Sequence, residues 1–176
     1  MMIMNNTSVK YTKVAFGIIS TCEDNSHIFM CDTDHKDNPH ITLELFTNII
    51  NNIIDEYNLS NVFIVESTNG YNAYSLDKIP LRLLYEINKS YPNVLDQTYN
   101  ELMYTRRGFY VLRIGHDKKI VDILSSPHDI YKRSNAHRIF FNSVFGLHVD
   151  RYHSFDDFER FRIIRFLNNK HGVDLE

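Results

Sequence analysis

This sequence predicts an α+β fold with a mainly antiparallel sheet flanked by helices, and three observations predict it. Apolar runs of strand length recur along the chain, several of them joined by links too short to hold a crossover helix. An Asn69-Gly70 dipeptide lies between two of these runs, which is a strong hairpin signal. Other segments space their apolar residues three and four apart, as helices that bury one face do. With 176 residues, 43% hydrophobic and 23% charged, the chain is long enough for one well-buried core. A single domain over 1–176 is expected, with a helical C-terminal part from about residue 129.

Lys10 to Ile19, rich in Val, Ile, Phe and Thr, reads as a first strand. Only the turn-like Cys22-Glu23-Asp24-Asn25-Ser26 separates it from a second, His27 to Asp32, so the two are expected to pair as an antiparallel hairpin. Thr42 to Tyr57 carries Leu43, Phe46, Ile49, Ile50, Ile53 and Ile54 on one stripe, an amphipathic helix with Thr42 as its N-cap. Val62 to Val65 is a short, continuous apolar run of the kind buried strands show, joined across Ser67-Thr68-Asn69-Gly70 to a strand over Tyr71 to Leu76. Pro80 to Ser90 forms a second helix through Leu81, Leu84, Tyr85 and Ile87, with the proline tolerated in its first turn. A loop holding Pro92 and Asp96 leads to a strand over Gly108 to Ile114, and Gly115 to Lys119 joins that to Ile120 to Leu124 as a second hairpin. Helices are expected near His137 to Val144 and over Phe155 to Asn169, where Phe158, Phe161, Ile164 and Leu167 form a stripe.

The composition excludes several classes of function. A formal net charge of −3 lacks the strongly basic signature of a DNA-coating protein, so nucleic-acid binding would be local, at Arg106-Arg107, Lys118-Lys119 and Lys132-Arg133 leading to Arg138. No apolar run approaches membrane-spanning length, and no membrane partner is expected. Met1 to Thr7 lack a basic start followed by an apolar stretch, so the expected location is cytoplasmic. Cys22 and Cys31 make no disulfide framework and are expected to be reduced.

Chemistry concentrates in three places. The apolar run His27-Ile28-Phe29-Met30-Cys31 ends on Asp32-Thr33-Asp34, and strand alternation would put both carboxylates on one side, about 6–7 Å apart. Such a pair suits a divalent cation, since Mg²⁺ is usually held by one or two carboxylates plus substrate phosphates. Glu66-Ser67-Thr68-Asn69-Gly70-Tyr71-Asn72 gathers hydroxyls, an amide and close backbone N–H groups at a hairpin, donors that suit a phosphate. Asp96 followed by Arg106, Arg107, Arg113, Lys118 and Lys119 adds an acid and cations able to neutralise triphosphate charge.

In this order the three groups resemble the archaeo-eukaryotic primase, or primase-polymerase, superfamily of archaeal, eukaryotic, viral and plasmid replication systems. Phe29-Met30-Cys31-Asp32-Thr33-Asp34 is similar to its first motif, a strand ending in DxD or DxE. Glu66 to Asn72 is similar to the second, a Ser-rich, Gly-containing hairpin ending in His. Val94-Leu95-Asp96, then Arg107 to Ile114 and Lys118, is similar to the third. The likeness covers roughly residues 27 to 119. It implies a small viral- or plasmid-type replication domain with a modified RRM-like sheet, acting as a DNA-directed nucleotidyltransferase. Asp32, Asp34 and Asp96 would hold two Mg²⁺ or Mn²⁺ ions, one activating the attacking 3′-hydroxyl and the other stabilising the leaving pyrophosphate. Ser67, Thr68, Gly70, Asn72, Arg113 and Lys118 would cradle a dNTP or NTP, with single-stranded or primed DNA held through its phosphates. With no helicase motif or Cys-rich zinc module in the chain, a separate helicase or accessory subunit is the expected partner. Where the family carries histidine this chain carries Asn72, which donates a hydrogen bond but bears no charge.

Other readings stand beside this one. Two-metal hydrolysis by Asp32, Asp34 and Glu66 would make the chain a nuclease. A relative that has lost turnover would bind nucleic acid or nucleotide only. Zinc at Cys22, His27, Cys31, His35 and His40 matches no common ligand spacing. Asp122, inside Val121-Asp122-Ile123, competes with Asp96 as the third acid.

Overall fold

The computed structural model describes residues 16–34, 38–114, 118–128 and 131–145. These form strands β1 (Phe16–Ile19), β2 (His27–Asp32), β3 (Val62–Ser67), β4 (Gly70–Ile79), β5 (Val111–Ile114) and β6 (Lys119–Leu124), with helices α1 (Leu43–Tyr57), α2 (Leu81–Lys89), α3 (Gln97–Leu102) and α4 (Asn135–Phe145). The expected helix over Phe155 to Asn169 lies outside the described residues, as do residues 10–15 of the expected first strand.

All pairings are antiparallel, and the fold is α+β as the sequence predicts. A four-stranded sheet runs β2-β4-β3-β6, and β1 with β5 forms a separate two-stranded sheet. β3 and β4 make the hairpin that Asn69-Gly70 predicts, with Ser67 opposite Gly70. Among the described residues the two other expected hairpins do not form as paired strands. β1 pairs with β5, not β2, although a short turn survives between the first two strands, with a Thr21–His27 bridge and hydrogen bonds from Ile28 N to Ser20 O and from Cys22 N to Ser26 O. β5 likewise leaves β6, which pairs with β3 instead. Short links do not fix partners. β2 and β6 instead flank the central β3–β4 hairpin, with Ile28, Phe29, Met30, Cys31 and Ile120 buried.

The core explains that choice. Ile28, Phe29, Met30 and Cys31 of β2, Val62, Ile64 and Val65 of β3, and Ala73 and Tyr74 of β4 are fully or almost fully buried. Between Gly70 and Ser75 the side chains of β4 alternate faces. Tyr71 takes one face, where Phe46 of α1 stacks on it at 5.6 Å between centroids. Tyr74 takes the other, where Phe141 of α4 meets it edge-on at 5.2 Å. Helices thus cover both faces, and α1 begins where expected, with the Thr42 hydroxyl accepting from Leu45 N at 3.2 Å.

Three elements depart from the sequence reading, and one of them, β5, begins at Val111 and not at Gly108. The expected loop around Asp96 holds α3, whose N-cap is Asp96 itself, accepting from Tyr99 N at 2.8 Å. α3 runs on into a π-helical segment, Met103–Arg107, which ends on Gly108 at a φ of 72°. β4 extends to Ile79, beyond the expected Leu76. Its register against β2 shifts between Ile28 and Met30, and its far end is bordered by the segment before α4 through the bonds from Lys78 N to Lys132 O and Ser134 N to Leu76 O. Among the described residues, no helix is long and apolar enough to cross a membrane, and both cysteines are free.

Candidate active site

The carboxylates gather where β2 ends. Asp32 closes the strand opposite Asn72, the third residue of β4, and the chain then turns sharply against the β3–β4 hairpin. Thr33 N donates to Tyr71 O at 2.9 Å, and Tyr71 N donates to the Thr33 hydroxyl at 3.0 Å. Gly70 makes this approach possible. A Cβ there would overlap the Thr33 carbonyl oxygen, and its φ of 153° is one that L side chains rarely adopt. The DxD segment and the glycine hairpin are therefore one packed unit. Ser67 serves the same turn, donating to Gly70 O at 3.2 Å.

Asp96 is brought in by the backbone. Its N–H donates to Asp32 O at 3.0 Å, so the head of α3 is pinned to the end of β2. Asp34, Asn38, Pro92, Leu95, Asp96, Gln97 and Thr98 line a cleft of about 360 Å³ beside it. From the β6 side Lys118 donates to Asn72 Oδ1, and Asn72 Nδ2 donates to the Asp32 carboxylate. Four separate stretches of chain, around residues 32–34, 72, 96 and 118, thus converge at one end of the sheet.

Charge is unevenly met there. Burial pushes the Asp32 carboxyl up to about 7, Lys118 opposes the rise, and the nearby carboxylates of Asp96 and Asp34 add to it. An all-oxygen set of carboxylates with excess negative charge suits a hard divalent cation. One oxygen of Asp96 is committed to capping α3, and among the described residues no three His, Cys, Asp or Glu side chains are grouped to hold one metal. The donors fit a cation held by one or two carboxylates, with its remaining positions left to phosphate oxygens and water.

The other expected residues fall as follows. Arg113 lies on β5 opposite Gly17 with an exposed side chain, on the two-stranded sheet. Thr68 and Gly70 hold the hairpin turn. Glu66, the third acid of the nuclease reading, is paired with Lys119 at 2.7 Å. Asp122 sits in β6 opposite Ile64, accepting from Ile123 N at 2.8 Å, and its carboxyl is raised by burial. Cys31 is fully buried, and burial raises its thiol far above the usual range. Sequence reasoning missed that Asn72 lies between Asp32 and Lys118. The register that places it opposite Asp32 was the available signal, once β2 was paired with β4. No family model, curated protein or solved structure matches the chain.

Proposed function

We propose that this chain is a nucleotidyltransferase domain of the primase-polymerase kind, extending or starting a strand on single-stranded or primed DNA. The observation that carries the reading is the convergence of Asp32, Asp34, Asp96 and Lys118 at one sheet end. Phosphoryl transfer requires little covalent chemistry of a protein and much positioning of charge, and this end offers carboxylates for a cation and a lysine for phosphate oxygens. Asp32 and Asp34 are the metal ligands at the strand end, with Asp96 as the third acid. Mg²⁺ or Mn²⁺ bound there would lower the pKa of the attacking 3′-hydroxyl and neutralise the leaving pyrophosphate. Lys118 and the Ser67–Gly70 turn, with Thr68, face the triphosphate of a dNTP or NTP, and Arg113 contributes from β5. An RRM-like sheet, a separate helicase or accessory subunit, and a replicon of viral or plasmid type belong to the same proposal.

The test is primer synthesis and extension on single-stranded DNA with labelled nucleotides and either Mg²⁺ or Mn²⁺, comparing the wild type with Asp32→Ala and Asp96→Ala. Product from the wild type and a loss of about a hundredfold or more in both variants is expected, beyond the roughly 10–100-fold typical of groups that only support metal ligands. No wild-type product under either metal would remove the polymerase reading and leave nucleotide or nucleic-acid binding as the activity to measure.

A further inference from the structure

The lysine and the buried aspartate share a hydrogen-bond partner. Between them stands Asn72, 1% exposed, on a central strand with Asp32 of β2 on one side and Val65 of β3 on the other. Its amide is used at both ends, Nδ2 donating to Asp32 and Oδ1 accepting from Lys118. The polarity of this arrangement is dictated by chemistry. A carboxylate can only accept and an ammonium can only donate, so the amide has one orientation that satisfies both neighbours.

We propose that Asn72 is a positioning residue that couples the Asp32 carboxylate to the Lys118 ammonium, orienting the first toward metal and the second toward triphosphate. The inference rests on the nucleotidyltransferase reading for what the two groups do, but the coupling itself is a property of the fold. It assigns Asn72 a task other than touching phosphate, because one N–H of its amide and its carbonyl oxygen are engaged inside the protein and the side chain is buried. Few side chains fill that task. Aspartate has no donor for Asp32, leucine keeps the branching but is bulkier and offers neither group, and a neutral imidazole supplies one donor and one acceptor.

The experiment has two arms. In the first, steady-state kinetics of primer extension are measured for Asn72→Leu, Asn72→Asp and Asn72→His, and for Asn72→Leu combined with Lys118→Met. Asn72→Leu should lower kcat/KM by about 10–100-fold, as loss of an outer supporting group does, through both a lower kcat and a higher KM for the nucleotide. Asn72→Asp should lower kcat while leaving KM for the nucleotide near the wild-type value, since it keeps the acceptor for Lys118. Asn72→His should recover part of the loss. Adding Lys118→Met to Asn72→Leu should cost less than the product of the single effects.

In the second arm, the Asn72 side-chain amide resonances are followed by NMR in metal-free protein, and Mn²⁺ affinity is measured, for the wild type, Lys118→Met and Asp32→Asn. Both substitutions should move the Asn72 signals, and Lys118→Met should change Mn²⁺ affinity. Wild-type kinetics in Asn72→Leu, strict additivity, or Asn72 signals that ignore both substitutions would overturn the proposal. A wild type that makes no product refutes the nucleotidyltransferase reading alone, because the second arm needs no turnover. The second arm also leaves Asn72 intact and so decides the matter if the Asn72 variants fail to fold.

Discussion

Asp32 and Asp77 both belong to strands of the four-stranded sheet, and the fold treats them in opposite ways. Asp77, on the irregular outer half of β4, is fully buried and well supplied with donors. Ser60 N reaches it at 2.6 Å, the Ser60 hydroxyl at 2.7 Å and the Ser75 hydroxyl at 2.9 Å. Asp32, at the end of β2, has one side-chain amide for a donor among the described residues, and its charged neighbours are Lys118 and two further carboxylates; burial and those carboxylates together outweigh the lysine. A buried carboxylate with its own donors holds structure together, since the protein supplies everything its charge needs. One left short of donors beside other carboxylates stores an electrostatic demand that a cation can meet.

The largest separation between the two should appear on truncation. Asp77→Ala leaves a backbone N–H and two hydroxyls without their partner in the core, and is expected to cost about 3 kcal/mol or more. Asp32→Ala removes a group the fold satisfies poorly and is expected to change stability by less than about 1 kcal/mol, while abolishing the proposed metal-dependent synthesis. Urea denaturation of both variants at pH 7 checks this. Equal losses of stability would erase the distinction between a structural and a functional aspartate.

A smaller effect probes the backbone of the Asp32 region, where precision is high although charge is unmet. Gly70→Ala would drive a methyl group into the Thr33 carbonyl at a backbone angle that alanine avoids. A loss of about 2 kcal/mol is expected, within the range for local backbone strain. The β2–β4 amide bonds around Thr33 and Tyr71 should be the first to lose hydrogen-exchange protection. An unchanged denaturation midpoint would mean that the hairpin does not depend on this contact to hold the DxD segment in place.

The same contrast shows how far the sequence could be read. The DxD at the end of an apolar run and the Asn-Gly turn announce themselves through alternation and turn chemistry, both local properties. α1 was legible because six apolar residues repeat along one stripe, four of them buried, and Thr42 caps it. Strand partners were not legible. β1 leaves β2 for β5, and β5 leaves β6, so partners at a distance in the chain replace the neighbours that short connections suggest. α3 escaped notice because it is only six residues long, too short to show a period, and its cap was read for its chemistry and not its geometry. Asp77 gave no signal at all. Its donors come from Ser60 and Ser75, whose hydroxyls look like ordinary strand-edge polar groups until the chain is folded. The convergence of Asp32, Asn72, Asp96 and Lys118 needed the β2–β4 register and the pinning of α3, neither of which local pattern supplies.

The subtlest prediction concerns pH. Because the folded protein raises the Asp32 carboxyl from 3.8 to about 7, folding favours its protonated form. That contribution to stability is fully present below the unfolded value and is lost as pH rises through about 7. The side-chain amide of an Asp32→Asn variant stays neutral throughout and has nothing to lose. The variant and the wild type should therefore differ little in this respect near pH 4, whereas by pH 8 the variant should gain about 1–2 kcal/mol relative to the wild type, with partial exposure limiting the effect. Mg²⁺ or Mn²⁺ added at pH 8 should narrow the gap from the other side, since a cation that binds the ionised carboxylates stabilises only the wild type's site in full. Denaturation midpoints of the two proteins at pH 4, 6 and 8, with and without the metal, measure both effects. A difference that stays constant across pH would mean that the fold accepts Asp32 in its charged form. A difference that grows with pH yet ignores the metal would keep the unmet charge but remove the cation as its answer.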